Sequence, residues 1–242
     1  MDVDAATPNR LSDLAERFVE IVASVNAGGE FSTVDHVVRT ARNRVTGADS
    51  ASITTYRRGR FTTTAASDDL SRRGDDLQYE LGSGPCVDAV VDDVICTPND
   101  IAVDERWPEY GPRVSEELGV SSMLSFPLHT GSTESLDGLN IYSRTVGAFD
   151  EDALLTGMFI ASQAALAISC DKVANLERAL ATSREIGTAI GVLMTSAKLT
   201  REQAFGRLRV ASQESNRRLY EVAAEVVDTG TLEVRRPGRG VA

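Results

Sequence analysis

The chain has 242 residues, 42% of them hydrophobic, which is enough for one large domain or two smaller ones and argues against wholesale disorder. Its formal net charge is −11. The first residues contain no apolar run behind a basic flank, so we expect no secretory signal. No eighteen apolar residues follow one another without interruption, so we expect no membrane-spanning helix. Three widely spaced cysteines without a CxxC pair indicate free thiols in a reducing cytoplasm, and two histidines are too few for most histidine metal sites or a serine–histidine–aspartate triad.

Two amphipathic helices are predicted at the start of the chain. Residues 10–25 place apolar side chains at three- and four-residue spacing. The same pattern recurs over Val34–Val45, and Gly47 ends it.

The spacing of apolar residues then changes from that of helices to that of strands. Runs of β-branched and apolar residues between turn signals predict strands over 51–56, 61–66, 94–96, 122–128 and 138–143. Short helices are predicted over 86–91, with Pro85 in the first turn, and over 107–118. This order predicts an α+β fold in which an antiparallel sheet is flanked by helices.

From Asp150, the predicted N-cap, the pattern is helical. A seam at three- and four-residue steps is formed by Leu166, Ser169, Val173, Leu176, Leu180, Ser183, Gly187, Ile190 and Met194. It resembles one strand of a coiled coil, although serine and glycine weaken it. Its partner is either the first helix of the same subunit or a second copy of the chain, and we expect a homodimer through Val173–Met194.

Two short helices follow the long one. Lys198 and Leu199 break the helix, and Thr200 with Gln203 predicts a capping box for a helix that starts at Arg201.

The last helix is predicted over Arg217–Asp228, with Ser215 or Asn216 as its cap and Gly230 after its end. Residues 233–242 are predicted to form a flexible basic tail.

Positive charge is concentrated in this last part of the chain. From Arg184 to Ala242 ten basic residues face seven acidic ones, a net charge of +3 that leaves −14 on the remainder. Five of the arginines lie within Arg201–Leu219. Such a segment on an acidic body indicates a surface that meets an anion, usually a nucleic acid, although a solvated arginine face on a helix gives the same pattern.

A set of fixed residue types recurs in the same region. It comprises Arg184-Glu-Ile-Gly-Thr-Ala-Ile-Gly-Val-Leu-Met194, Ala204-Phe205, Leu208-Arg209, Ala211-Ser-Gln213, Asn216-Arg-Arg-Leu219 and Val222-Ala223. On these positions the C-terminal third resembles the ANTAR domain, the three-helix RNA-binding module of transcription antitermination regulators. One departure is Ile190, where many members carry lysine.

A second set of motifs lies before it. It comprises Gly82-Ser-Gly-Pro-Cys86, Asp100, Arg106-Trp107-Pro108, Gly119-Val-Ser-Ser122, Phe126-Pro-Leu128, Gly138-Leu-Asn140 and Ala148-Phe149. This region is similar to a GAF domain, which implies a sensory fold with a pocket between sheet and helices but names no ligand and no cofactor. The expected organisation is a segment 1–11, a GAF-like domain 12–171, an ANTAR domain 172–232 and the tail 233–242.

Together the resemblances imply a signal-responsive, RNA-binding transcription antitermination regulator. Such a protein would act on paired hairpins in nascent mRNA leaders, as a cytoplasmic homodimer that affects the transcription machinery indirectly, without enzymatic activity and without a membrane. The RNA contacts are expected at Arg184, Lys198, Arg209, Gln213, Asn216, Arg217 and Arg218. The remaining alternatives are a sequence-specific DNA-binding regulator, a dimeric module that binds only protein, and an enzyme, for which no nucleophile–base set is found.

Some residues allow two interpretations. Asn216 either reads a loop base or caps a helix. Gly84 and Cys86 are the ligand or sensor candidates: the helix dipole could lower the pKa of the Cys86 thiol, or Cys86 could simply pack the pocket floor. Leu193, Phe205, Leu208, Leu219, Val222 and Val226 are assigned to the core of the RNA-binding module.

Overall fold

The computed structural model describes residues 33–132 and 134–232, together with Val19 and Ala23, which are helical. The chain divides into two compact units, Met1–Asp171 and Lys172–Ala242. Apart from Val19 and Ala23, the helix predicted over 10–25 lies outside the described residues, as does the tail predicted over 233–242.

The described residues contain seven α-helices and four strands. The helices are α1 Thr33–Arg44, α2 Asp69–Leu81, α3 Pro85–Val91, α4 Tyr110–Leu118, α5 Glu151–Ser196, α6 Arg201–Ser215 and α7 Leu219–Thr229. The strands are β1 Ser50–Arg57, β2 Arg60–Ala66, β3 Ser122–Leu128 and β4 Ser135–Ser143. The predicted α+β class is confirmed.

The four strands form one antiparallel sheet in the order β2-β1-β4-β3. Ile53 of β1 pairs with Leu139 of β4, which pairs in turn with Phe126 of β3. The β1–β2 hairpin turns at Arg58 and Gly59, both at positive φ, as a two-residue hairpin turn with the twist of the strands requires.

One face of the sheet is apolar. Alternate strand residues such as Ile53, Phe126 and Ile141 pack against α1 and the N-terminal part of α5, where Ile160 is fully buried. Gly157 on α5 lies against the Phe126 ring, and a Cβ there would come within 2.7 Å of it.

The opposite face is buried as well, but its centre is polar. The residues that alternate with the apolar set include Ser52, Thr54 and Asn140, all with no exposed surface. Helices α2, α3 and α4 cover this face, and an apolar cluster around Trp107 and Tyr142 surrounds the polar centre.

The sequence did not predict α2. Its buried side contains Ser71, Gly74, Asp75, Leu77 and Gln78, so the apolar periodicity of an ordinary core helix is missing. Gly74 is required by packing, because a Cβ there would lie 2.8 Å from the ring of Tyr142. Capping by Asp68 and by Gly82, at φ 63°, defines the ends of the helix.

One predicted strand is wrong, and the structure defines the starts of two other predicted elements. Residues 94–96 form no strand, because Cys96 makes only an isolated bridge with Ser125. The helix predicted within 107–118, after the start of that segment, begins at Tyr110, because Trp107 and Pro108 belong to the turn before it. Strand β4 begins at Ser135, three residues before the predicted start.

Helix α5 is 46 residues long and starts where predicted, since the Asp150 carboxylate accepts the Ala153 amide at 2.8 Å. By length and composition α5 could cross a membrane, because an 18-residue stretch of it has a mean hydropathy of 1.7. In the structure, 39% of that stretch is buried. Its first part packs against the sheet through Ile160 and Ala164, as a core helix does. No clear membrane span is therefore found among the described residues.

In the second unit, the end of α5 packs with α6 and α7 around a small apolar core. That core contains Ala189, Leu193, Ala204, Leu208, Ala211, Val222, Ala223 and Val226. The predicted capping box is confirmed: Thr200 Oγ1 accepts the Gln203 amide at 3.2 Å, and Gln203 Oε1 accepts the Thr200 amide at 2.9 Å.

Candidate nucleic-acid interface and sensor interior

All seven residues expected at the RNA surface are exposed. Arg209 and Gln213 lie one turn apart on α6, and Asn216, Arg217 and Arg218 form the turn into α7. These five residues therefore occupy one helix and the loop that follows it.

The turn between α6 and α7 is held by hydrogen bonds. The Arg217 amide donates to the Ser212 carbonyl at 3.1 Å, and the Ser212 hydroxyl donates to the Arg217 carbonyl at 2.6 Å. Because both bonds use backbone atoms of Arg217, its position is fixed whatever its side chain does.

The predicted cap of the last helix is wrong. Asn216 ends α6 in the left-handed conformation, at φ 52°, and α7 begins only at Leu219 with Arg218 as its N-cap. The Arg218 amide donates to Glu221 Oε2 at 3.2 Å, so a carboxylate inside α7 takes the part expected of a capping side chain. The cap at Asn216 uses its backbone, which leaves its side-chain amide available to a ligand.

The two arginines of the turn differ in their surroundings. Arg217 Nη1 donates to Glu225 Oε2 at 2.5 Å, and Nη2 donates to the Glu221 carbonyl at 3.3 Å. The side chain of Arg218 has no ion pair with any described residue. Arg218 is therefore the more available of the two charges.

Arg184 and Lys198 lie apart from this turn in the sequence. Arg184 is on α5, five residues before the buried Ala189, and Lys198 is in the α5–α6 connection at φ 52°. Within the described part of the chain no hydrogen bond or ion pair joins either of them to the α6–α7 turn.

One residue assigned to the core is misplaced. Phe205 is 42% exposed and lies outside the apolar cluster of the unit, whereas Leu193, Leu208, Val222 and Val226 are buried as expected. Leu219 packs against the cluster and is partly buried.

In the first unit, the polar centre of the sheet converges on Asp75 of α2. Its carboxylate accepts hydrogen bonds from Ser52 at 3.0 Å, Thr63 at 2.8 Å, Asn140 at 3.0 Å and Tyr142 at 2.5 Å. Burial raises the pKa of Asp75 to about 6, although the four hydrogen bonds act in the opposite direction.

The Asn140 side chain links this cluster to the thiol of Cys86. Its Nδ2 lies 3.0 Å from Cys86 Sγ, and its Oδ1 is buried without a hydrogen-bond partner among the described residues. The Cys86 amide donates to Gln78 Oε1 at 2.7 Å. Gly84, at φ 148°, allows the Gln78 side chain to approach, since a Cβ there would lie 2.4 Å from Oε1.

Cys86 itself is fully buried. Burial raises the pKa of its thiol to about 12, and the nearby Asp75 acts in the same direction. The lowered pKa expected for this thiol is therefore not found, because burial disfavours the thiolate. The structure favours the interpretation in which Cys86 packs the interior.

Sequence reasoning missed Asp75 and Gln78 because both lie on a helix without apolar periodicity. The available signal was the alternation on β1, where Ser50, Ser52 and Thr54 share one face. A polar strand face beneath a helix requires polar partners, since buried hydroxyls are nearly always hydrogen-bonded.

The fold defines a class of two-part chains: an α+β domain with helices on both faces of an antiparallel sheet, followed by an all-α module. The chain belongs to the GAF domain family, whose model matches residues 32–169, and an ANTAR domain follows over residues 174–227. A GAF domain implies sensing, and an ANTAR domain implies RNA binding and antitermination regulation. A search of curated proteins gave no match.

Several solved structures resemble about two thirds of this chain. The GAF domain of a phosphoenolpyruvate-protein phosphotransferase from Coxiella burnetii is 17% identical, covers 68% of this chain and 98% of its own, and has a TM-score of 0.53. The reduced fRMsr of Staphylococcus aureus is 9% identical, covers 69% of this chain and 99% of its own, and has a TM-score of 0.50. The GAF domain of the Acinetobacter phosphotransferase is 15% identical, covers 66% and 95%, and has a TM-score of 0.49. At these identities the likeness concerns the fold alone.

Proposed function

We propose that this protein is a signal-responsive, RNA-binding regulator of transcription antitermination that acts on hairpins in nascent mRNA leaders. The observation that carries the proposal is the ANTAR match over residues 174–227, on a unit whose α6–α7 turn exposes Asn216, Arg217 and Arg218. By holding an RNA hairpin, the protein would prevent formation of a competing terminator and so act on the transcription machinery indirectly.

The chemistry of the turn suits RNA. A guanidinium donates several hydrogen bonds to one phosphate and can stack on a base, so Arg209 and Arg218 are suited to the backbone of a folded loop. The amides of Gln213 and Asn216 offer a donor and an acceptor each, as reading an unpaired base edge requires. Arg184 and Lys198 supply further positive charge on the same unit.

We propose that the functional form is a cytoplasmic homodimer. The seam residues Val173, Leu176 and Leu180 are each 57–60% exposed in the single chain. A row of large apolar side chains on a helix is normally covered, and a second copy would cover it. Two RNA-binding units would then be available for paired hairpins.

The GAF domain would supply the input and no catalysis. Its buried cluster around Asp75 holds an acceptor, Asn140 Oδ1, that has no hydrogen-bond partner among the described residues, and the same side chain lies 3.0 Å from Cys86 Sγ. A ligand that donates a hydrogen bond to this oxygen would satisfy it.

A DNA-binding regulator is the second candidate. The three-residue connection Asn216–Arg218 between two short helices has the length found in helix-turn-helix motifs. In a dimeric DNA-binding protein, α7 would enter the major groove.

A gel shift with the full chain separates the two candidates. We expect a labelled RNA with two tandem hairpins, chosen from transcripts recovered by crosslinking, to be shifted at protein concentrations that leave duplex DNA of the same sequence free. Preferential shift of the duplex would support the DNA-binding candidate and contradict the proposal.

A further inference from the structure

Helix α6 carries an aromatic ring between two arginines. Arg201, Phe205 and Arg209 follow one another at four-residue steps and therefore share one side of the helix. All three are exposed, and 42% of Phe205 is accessible. We call these three residues the α6 stripe.

The ring of Phe205 has no structural task in the described unit. The apolar core between α5, α6 and α7 closes through Ala204, Leu208 and Ala211, on another side of α6. No arginine covers the ring either, since the cation–π contact among the described residues is that of Arg106 with Trp107, at 4.3 Å. The Phe205 side chain is thus partly presented to solvent.

The two arginines of the α6 stripe also have no carboxylate partner among the described residues. Neither Arg201 nor Arg209 has an acidic residue three or four positions away on the helix, and neither forms an ion pair with a described residue. Their centres are separated by about 12 Å along the helix axis, from the rise of 1.5 Å per residue. The stripe therefore offers an apolar plane between two positive charges.

Single-stranded RNA matches this arrangement. An unpaired base offers a flat face that stacks on an aromatic ring, and the phosphates on both sides of it are negative. A duplex would not fit, because its bases are stacked on one another and are not available to a protein ring.

The stripe is continuous with the α6–α7 turn. Helical spacing places Ser212 on the same side as Phe205 and Arg209, and Asn216, which ends the helix, lies about 16 Å along the axis from Phe205. One side of α6 thus leads from the stripe to the exposed residues of the turn.

We propose that Phe205 is the stacking platform for one unpaired base of an RNA loop, and that Arg201 and Arg209 hold the phosphates next to that base. This inference rests on the proposed RNA-binding function. It adds two residues, Arg201 and Phe205, to the seven RNA contacts named from the sequence.

The experiment uses the full chain and an RNA with two tandem hairpins taken from a crosslinked transcript, in which 2-aminopurine replaces each loop base in turn. We expect one loop position to lose fluorescence on binding, as stacking on the ring requires. Phe205→Leu should abolish that quenching and weaken binding about tenfold or more, because stacking of one base contributes on this order. Its salt dependence should stay that of the parent, since no phosphate contact is lost.

Two variants serve as controls. Phe205→Tyr keeps the ring and should retain both the quenching and the affinity. Val210→Ala shortens another apolar residue of α6, 46% exposed and on a different side of the helix, and should bind as the parent does.

The outcomes separate this inference from the proposed function. If the parent binds the RNA but no loop position is quenched, or if Phe205→Leu binds as tightly as the parent, the stacking role is overturned and RNA binding stands. If the parent binds no hairpin RNA at all, both are overturned. Should Phe205→Leu fail to fold, the absence of quenching at every loop position of the RNA bound by the parent would still overturn the stacking role.

Discussion

Asp75 is a carboxyl group kept inside the protein by neutral partners. Four hydrogen-bond donors surround it, and no basic side chain of the described residues pairs with it. Because an ionised carboxylate loses hydration on burial, the proton is bound more tightly in the folded state than in the unfolded one.

This difference predicts how stability depends on pH. The pKa of Asp75 rises from 3.8 to about 6 on folding, so its protonation stabilises the fold fully below 3.8, and that contribution is lost as the pH rises through about 6. The loss amounts to at most about 3 kcal/mol, at 1.36 kcal/mol per pKa unit. We expect Asp75→Asn to remove this part of the pH dependence, measured by urea unfolding followed by near-ultraviolet circular dichroism.

Asp76→Asn is the matched control, since the neighbouring carboxylate is exposed. It should keep the pH dependence of the parent. Identical pH profiles for the parent and Asp75→Asn would show that Asp75 is not the group responsible.

The cysteines differ in their access to reagents. Cys170 is exposed, whereas Cys86 is fully buried with a raised pKa. We expect a thiol reagent to label Cys170 quickly at neutral pH and Cys86 only when the protein unfolds, as mass spectrometry of the labelled peptides would reveal. Labelling of native Cys86 at the rate of Cys170 would contradict this and would revive a redox role for Cys86.

Among the elements, α5 carries the clearest sign of a missing partner. Val173, Leu176 and Leu180 follow one side of the helix and are exposed. We expect Leu176→Asp combined with Leu180→Asp to convert a dimer into a monomer, because each charge would be buried without a partner at the interface. Sedimentation velocity measures the change.

Arg178→Asp is the control for this prediction. Residue 178 is about 200° around the helix from Leu176, so the same acidic group lies on the opposite side. It should leave the dimer intact. A dimer that survives the double substitution would rule out the seam as the interface.

The strands and most helices could be predicted because their apolar residues recur at the period of the element. Helix α2 could not be predicted in this way, because its buried side packs on the polar face of β1 and is itself largely polar. Asp75, for example, accepts a hydrogen bond from Ser52. The end of α6 was misjudged for a related reason: Asn216 is suited to cap the start of one helix and to end another, and its backbone conformation decides between them. Phe205 was assigned to the core as a hydrophobic residue next to the face of Ala204 and Leu208, but it is 42% exposed, whereas both of those residues are buried.

For the whole molecule, the distribution of charge matters most. Residues 1–183 carry a net charge of −14 and repel a polyanion. Attraction therefore has to come from residues 184–242, whose net charge is +3. RNA binding should therefore depend strongly on salt concentration and should be concentrated on few residues.

The two arginines of the α6–α7 turn should contribute unequally. We expect Arg218→Ala to weaken binding to all hairpins and to lower the logarithmic salt slope by about one, as the loss of one phosphate contact does. Arg217→Ala should have a smaller effect, because Glu225 already neutralises Arg217. Filter binding over a range of salt concentrations measures both slopes.

Folding should survive both substitutions, since exposed changes usually alter stability by about 0.5 kcal/mol. If the double variant binds with the affinity and slope of the parent, these arginines form a solvated surface. The contacts would then lie elsewhere on the unit.

Trp107 is the single tryptophan of the chain and belongs to the sensory unit, where it is buried and donates from Nε1 to Asp88 at 2.7 Å. Its emission therefore reports on the GAF domain alone, while the RNA-binding unit contributes no indole signal. Excitation of this one ring would allow a change in the sensor to be timed against the arrival of a labelled RNA in the same sample, without attaching any dye to the protein.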